Sequence, residues 1–147
     1  MKLFKCFPIL LLYFFSCKPK LQKFENIDNV KIVYVNRDVY STIPGSCDNF
    51  EESLAQLIKT ILIKDIGELS KIQDCLNEIH LSSEANIDVK VKVYLMQGLN
   101  IVAVFCLDQF DGIVSNDKGY RNECFTKLIH ALIEKHSQLD ASMDKLE

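Results

Sequence analysis

The chain has 147 residues, 48% hydrophobic and 25% charged, with 10% aromatics, no Trp and a formal net charge of −3. This length fits one domain with a single core, and the apolar fraction excludes intrinsic disorder. Five Gly and three Pro exclude a collagen-like or linker-rich chain, and the acidic balance offers no nucleic-acid footprint.

The N-terminus opens Met-Lys-Leu-Phe-Lys and continues from Cys6 to Phe15 without a charge, ending in Ser16-Cys17-Lys18. A basic start, a short apolar run and a small residue make a signal peptide over 1–16. The run is about half the ~20 residues that a spanning helix needs. Phe14-Phe15-Ser16-Cys17 resembles a relaxed bacterial lipobox, from whose usual Leu Phe14 departs. The resemblance implies a lipoprotein: Cys17 becomes the first mature residue and carries acyl chains such as palmitate. The partner it implies is a membrane, reached through a lipid anchor on the cell envelope. Lys18 is not the acidic residue of an inner-membrane retention signal, so the outer membrane is the expected destination. The physical reason for lipid is burial at about 0.8 kcal/mol per CH₂, so two or more chains hold a domain firmly. The alternative is an ordinary cleaved peptide with Cys17 a plain thiol.

Residues 17–26 carry Lys18, Pro19, Lys20 and Lys23 without an apolar period and read as a tether. The single domain is expected over 27–138, with a polar, fraying tail at 139–147. In chain order, 28–36 alternates as a strand and 37–47 is a loop rich in Ser, Thr, Pro and Gly. Residues 48–64 are ambiguous. Phe50, Leu54, Leu57 and Ile58 have helical spacing, while Thr60-Ile61-Leu62-Ile63 is β-branched. A short helix at 49–55 and a strand at 57–64 reconcile them.

Asp65-Ile66-Gly67-Glu68 is a capping box that starts a helix over 66–80, with Leu69, Ile72, Leu76 and Ile79 on one face. Residues 87–97 give the strongest strand signal. Ile87, Val89, Val91, Val93 and Leu95 alternate with Asp88, Lys90, Lys92 and Tyr94, a second face expected to meet water. Gly98 and Asn100 mark a turn, and 101–107 returns as a buried strand. Residues 112–115 and 120–121 flank a turn at 116–119, with Gly119 expected in the left-handed position. Asn122 caps a last helix over about 123–137. The fold class is therefore α+β: a mainly antiparallel sheet with two longer helices packed on one face.

Ser46-Cys47-Asp48-Asn49-Phe50, Thr60-Ile61-Leu62-Ile63-Lys64-Asp65, and Cys106-Leu107-Asp108 before Phe110-Asp111-Gly112 resemble small bacterial lipoproteins of unknown function. The resemblance implies the same fold and no activity.

Four cysteines remain in the domain: Cys47, Cys75, Cys106 and Cys124. In an exported chain an even number points to disulfides, and four allow three connectivities. Cys47 and Cys106 are expected at one sheet end and pair first. Cys75 and Cys124 flank the apolar faces of the two helices and form the second pair. No Cys-x₂₋₄-Cys spacing supports zinc, and Asp108, Asp111, Asn116 and Asp117 lack the spacing of a calcium loop, so no metal is expected. No cofactor is expected either, since no Gly-rich phosphate loop is present.

His80, His130 and His136 read as structural, His136 as a cation near a helix C-terminus. Cys47 with His130 is the one conceivable nucleophile–base pair, without a nucleophile elbow around it. Lys90, Lys92 and Tyr94 form a stripe that could meet an acidic protein partner in the envelope or simply be solvated. The functional expectation is a non-catalytic binding or structural module, of which an immunity or inhibitor protein would be one form. A small envelope enzyme with an unrecognised site is the alternative.

Overall fold

The computed structural model describes residue 24 and residues 26–36, 45–83 and 86–143, with side chains to 139. Signal peptide, Cys17, most of the tether and the loop over 37–44 lie outside the described residues. The elements run β1 (Asn29–Tyr34), α1 (Phe50–Ser53), β2 (Lys59–Ile63), α2 (Ile66–Leu76), β3 (His80–Ser82), β4 (Val91–Gln97), β5 (Asn100–Leu107), β6 (Gly112–Ser115), β7 (Lys118–Arg121) and α3 (Glu123–Met143). All seven strands join one sheet in the order β2-β1-β4-β5-β6-β7-β3, and every pairing is antiparallel. The fold is α+β, mainly sheet, with two longer helices.

Alternation sets the two faces. Val30, Ile32 and Tyr34 of β1 lie in register with Ile61 and Ile63 of β2 and with Val91, Val93 and Leu95 of β4. With Phe105 and Leu107 of β5 they meet Leu69, Ile72 and Leu76 of α2 and Phe125, Ile129 and Leu132 of α3 in the main core. Phe105 sits edge-on to both Phe24 and Phe125, at 5.7 and 5.6 Å between centroids, a favoured ring geometry. Phe24 is thus packed against the core and its carbonyl accepts from Gln73 Nε2 at 3.3 Å. The expected tether therefore ends before it: a lone aromatic has no period to betray its burial.

The opposite sheet face holds a smaller core of Val33, Val35, Phe50, Val89 and Cys106, roofed by the segment over 45–58. The α1 helix has only four residues and is held by the fully buried Phe50, because a single turn is not stable alone.

The two longer helices start at the expected caps, whereas Asp48, a cap candidate for the short helix by its sequence, does not cap α1, which begins after Asn49 without a side-chain cap. Asp65 Oδ1 accepts from Glu68 N at 2.9 Å, and Asn122 Oδ1 from Phe125 N at 2.8 Å. Several boundaries differ from expectation. The α2 helix stops at Leu76, with Asn77 at its C-cap, and Ile79 is buried from the following turn rather than from the helix. His80 to Ser82 then forms the edge strand β3 against β7. Residues 87–90 lie outside β4: Val89 N donates to the Gly45 carbonyl, Lys90 N to that of Leu107, and the Lys90 carbonyl accepts from Val35 N.

In the β6–β7 turn the left-handed residues are Asn116 (φ 48°) and Asp117 (φ 58°), while Gly119 is a strand residue. This two-residue turn matches the twist of the flanking strands. The last helix is longer than expected: α3 continues past 137 to Met143, through Gln, Leu, Ala and Met with no Gly or Pro to stop it. His136 consequently sits seven residues before the helix end, outside the last turn where the dipole acts.

Candidate functional site

Two disulfides fix the two faces. Cys47–Cys106 (Cα–Cα 5.6 Å) fastens the roofing segment to β5. Cys75–Cys124 (5.3 Å) joins the C-terminal turn of α2 to the first turn of α3. Both separations suit a disulfide. Beside the second one, the Asn122 side chain bridges the elements by capping α3 and donating to the Cys75 carbonyl. With Cys47 oxidised and on the face opposite α3, it does not meet His130, so the nucleophile–base pair considered from the sequence does not assemble.

The Lys90, Lys92 and Tyr94 stripe is not the open, solvated face that alternation suggests. Lys90 is only 8% exposed and its Nζ lies 2.9 Å from Asp88. Lys92 Nζ lies 3.6 Å from Glu51 Oε1, and the Tyr94 hydroxyl donates to the same oxygen. For Lys92 and Tyr94 the cause is the roof: α1 brings Glu51 over β4, a juxtaposition that strand alternation cannot encode; Lys90, outside β4, parts from them and lines a cavity against α3. Lys31 and Lys92 place their ammonium groups 5.1 and 5.4 Å from the Tyr94 ring centre, within cation–π range. Burial, and then the hydrogen bond and negative charge of Glu51, hold the Tyr94 phenol well above its ordinary 10.0.

Lys92 and Tyr94 do line a shallow depression of about 320 Å³, rimmed by Asp48, Asn116 and Asp117. The basic and aromatic groups form its floor, and the exposed rim is acidic.

A second cavity of about 320 Å³ lies between the Tyr34 end of β1 and α3, where Lys90, His130, Glu134 and Ser137 converge over Tyr34 and Val91. Tyr34 Oη and Ser137 Oγ lie 3.4 Å apart at its floor. No pattern in the chain signals this convergence, because Lys90 and His130 are 40 residues apart and are brought to one cavity only by the crossing of α3 over the sheet.

The loop acids have internal partners. Asp108 Oδ1 accepts from Phe110 N and Gly112 N at 2.8 and 3.1 Å, and Asp111 Oδ1 lies 3.2 Å from the Thr126 hydroxyl. A Cβ at Gly112 would fall 2.5 Å from Asp108 Oδ2, which explains glycine there. Among the described residues, no three His, Cys, Asp or Glu side chains group as metal ligands, and no helix is long and apolar enough to cross a membrane. No protein-family model, curated protein or solved structure matches this chain.

Proposed function

We infer that this chain is a lipid-anchored protein of the cell envelope, on the outer membrane, that works as a non-catalytic binding or structural module. The observation that carries the compartment is the pair of disulfides behind an N-terminus of signal-peptide form. Structural disulfides persist in oxidising compartments and are rare in a reducing cytosol. Cys17, following Ser16 and an uncharged apolar run, is the residue that would carry the lipid.

The binding part rests on the depression floored by Lys92 and Tyr94. Its charged groups are neutralised by one another through Glu51, which suits a fixed surface for a partner better than a group free to exchange protons. The exposed acids Asp48 and Asp117 on its rim favour a partner with basic side chains. This replaces the acidic partner that an open lysine stripe would have suited.

Labelled fatty acid and fractionation test the anchor. Wild type should incorporate label and sediment with membranes, and Cys17→Ser should do neither. A Cys17→Ser chain that is still processed and membrane-bound overturns the lipid reading. Asp48→Lys with Asp117→Asn, which keeps a residue suited to the left-handed turn, tests the binding surface: the wild-type envelope partner should be lost while the circular dichroism spectrum is unchanged. Retention of that partner by the double variant removes the depression from the proposal.

A further inference from the structure

The lower end of the sheet, where β1 and β5 begin and β2 and β4 end, carries an unusual set of uncovered apolar side chains. The register puts Asn29 opposite Met96, Val30 opposite Ile63 and Gln97 opposite Asn100, so these strand ends are level. Leu99 at the tip of the β4–β5 hairpin is 95% exposed, Ile101 56% and Val102 45%. Leu62 and Ile66, at the β2–α2 junction of the same end, are 50% and 84% exposed. The hairpin also protrudes. The β6 strand pairs only with Cys106 and Leu107 of β5, which leaves Asn100 to Ala103, about 13 Å of strand at 3.3 Å per residue, beyond the β6–β7 turn.

The tip is held firmly for so exposed a feature. Asp28 Oδ2 accepts from Gly98 N at 2.7 Å, Asn29 Nδ2 donates to the Gly98 carbonyl at 3.1 Å, and Gly98 takes the positive φ of 60° that the turn needs. The acids here are occupied internally: Asp28 by Gly98, Asp65 by the α2 N-terminus and Glu68 by Lys135 at 2.6 Å. Large exposed apolar side chains gathered at one end of a sheet mark a binding surface, and their place where the chain enters says for what. The chain enters the sheet at this end, and only six residues lie between Cys17 and Phe24, which packs on the core beside Phe105. The seven steps from Cys17 to Phe24, at 3.3–3.6 Å each, span at most ~25 Å, and Lys18, Lys20 and Lys23 lie between them.

We propose that this end is a lipid-docking surface: Leu99, Ile101 and Val102 enter the headgroup–acyl boundary of the membrane to which Cys17 is tied, with Leu62 and Ile66 beside them. This rests on the anchor reading above. Apolar side chains carried 5–10 Å into that boundary gain by burial, and basic residues nearby favour anionic headgroups. The domain then has a fixed orientation, with the far end of the sheet, at Phe110, turned away from the bilayer.

The chain contains no Trp, so Leu99→Trp installs a single fluorescent reporter at an exposed position. Phe110→Trp, in the loop after β5 and 69% exposed, is the reporter at the opposite end. Each acylated full-length variant is reconstituted into vesicles of phosphatidylethanolamine and phosphatidylglycerol with brominated acyl chains. The indole at 99 should lose most of its emission relative to unbrominated vesicles and shift to the blue, and the indole at 110 should do neither. Equal emission with and without bromine at 99, in protein whose mass shows acyl chains on Cys17, overturns the docking and leaves the anchor standing. Absence of acyl mass on Cys17 overturns the anchor and the docking with it. An indole at 99 already shielded from aqueous iodide before vesicles are added shows a second copy on the surface, and also overturns the docking.

Discussion

At the scale of single residues, Tyr94 shows how far environment departs from composition. On sequence it is an aromatic between two lysines on a strand face. In the fold its hydroxyl donates to Glu51 and its ring lies beside Lys31 and Lys92. The neutral phenol is favoured by burial first and by Glu51 second, so its proton is held above the ordinary 10.0. The folded state then binds this proton more tightly than the unfolded chain does. Stability from this group is fully present below pH 10.0 and falls as pH rises through the folded-state value. Glu51→Gln removes the negative charge and leaves the burial. The Tyr94 phenol should titrate at lower pH in that variant yet remain above 10.0, read from the ¹³Cζ shift of labelled tyrosine. A titration superimposable on wild type would show that Glu51 does not act on Tyr94. Neither the contact nor the loss of an open stripe was legible in the sequence, since Glu51 and Tyr94 lie 43 residues apart and meet through tertiary packing.

At the scale of elements, the long periodic segments were readable and the short ones were not. The alternation from Val91 to Leu95 and the 3.6-residue spacing of Leu69, Ile72 and Leu76 each report one buried face, and both elements form. The three-residue β3 has no room for a period, and its His80 and Leu81 are exposed, so burial gives no signal. Ile79 misled in the other direction: buried at the next helical position, it extended an α2 that had already ended.

The two disulfides act on different elements and should differ in effect when removed. Loop separations of 59 and 49 residues give nearly equal stabilisation, about 4 kcal/mol each in the chain-entropy model. Cys47–Cys106, however, also fastens the roof that carries α1 and its buried Phe50 to β5. Cys47→Ala with Cys106→Ala should therefore destabilise more than Cys75→Ala with Cys124→Ala, and should expose Phe50 and release Glu51 from Tyr94. Denaturant unfolding of both double variants decides this. Equal midpoints, or a larger loss for the helix pair, would show that the roof contributes nothing beyond loop closure.

At the scale of the whole molecule, the order β2-β1-β4-β5-β6-β7-β3 places the first strand inside the sheet and two short strands at its edges. An α+β class follows from counting periodic segments, but the insertion of β1 between β2 and β4 does not, because it depends on which apolar faces fit together in three dimensions. The same order predicts how stability is distributed. The β4 strand is paired along its length with β1 on one side and β5 on the other, and Val91, Val93 and Leu95 are at most 2% exposed. The β2 and β3 strands each have one neighbour, and β3 has three residues with two exposed. Amide groups open with free energies that range from near zero at frayed edges to the global value in the core. Slowest exchange is therefore expected at the amides of β4 and of its partner segment in β1, through Ile32, and faster exchange in β2. In β3 and in the protruding part of β5 it should be faster still. Native-state hydrogen exchange resolved by residue measures this gradient directly. If His80 to Ser82 exchange as slowly as Val93, the sheet opens as one unit rather than from its edges, and the central pairing of β1 with β4 is not the last structure to unfold.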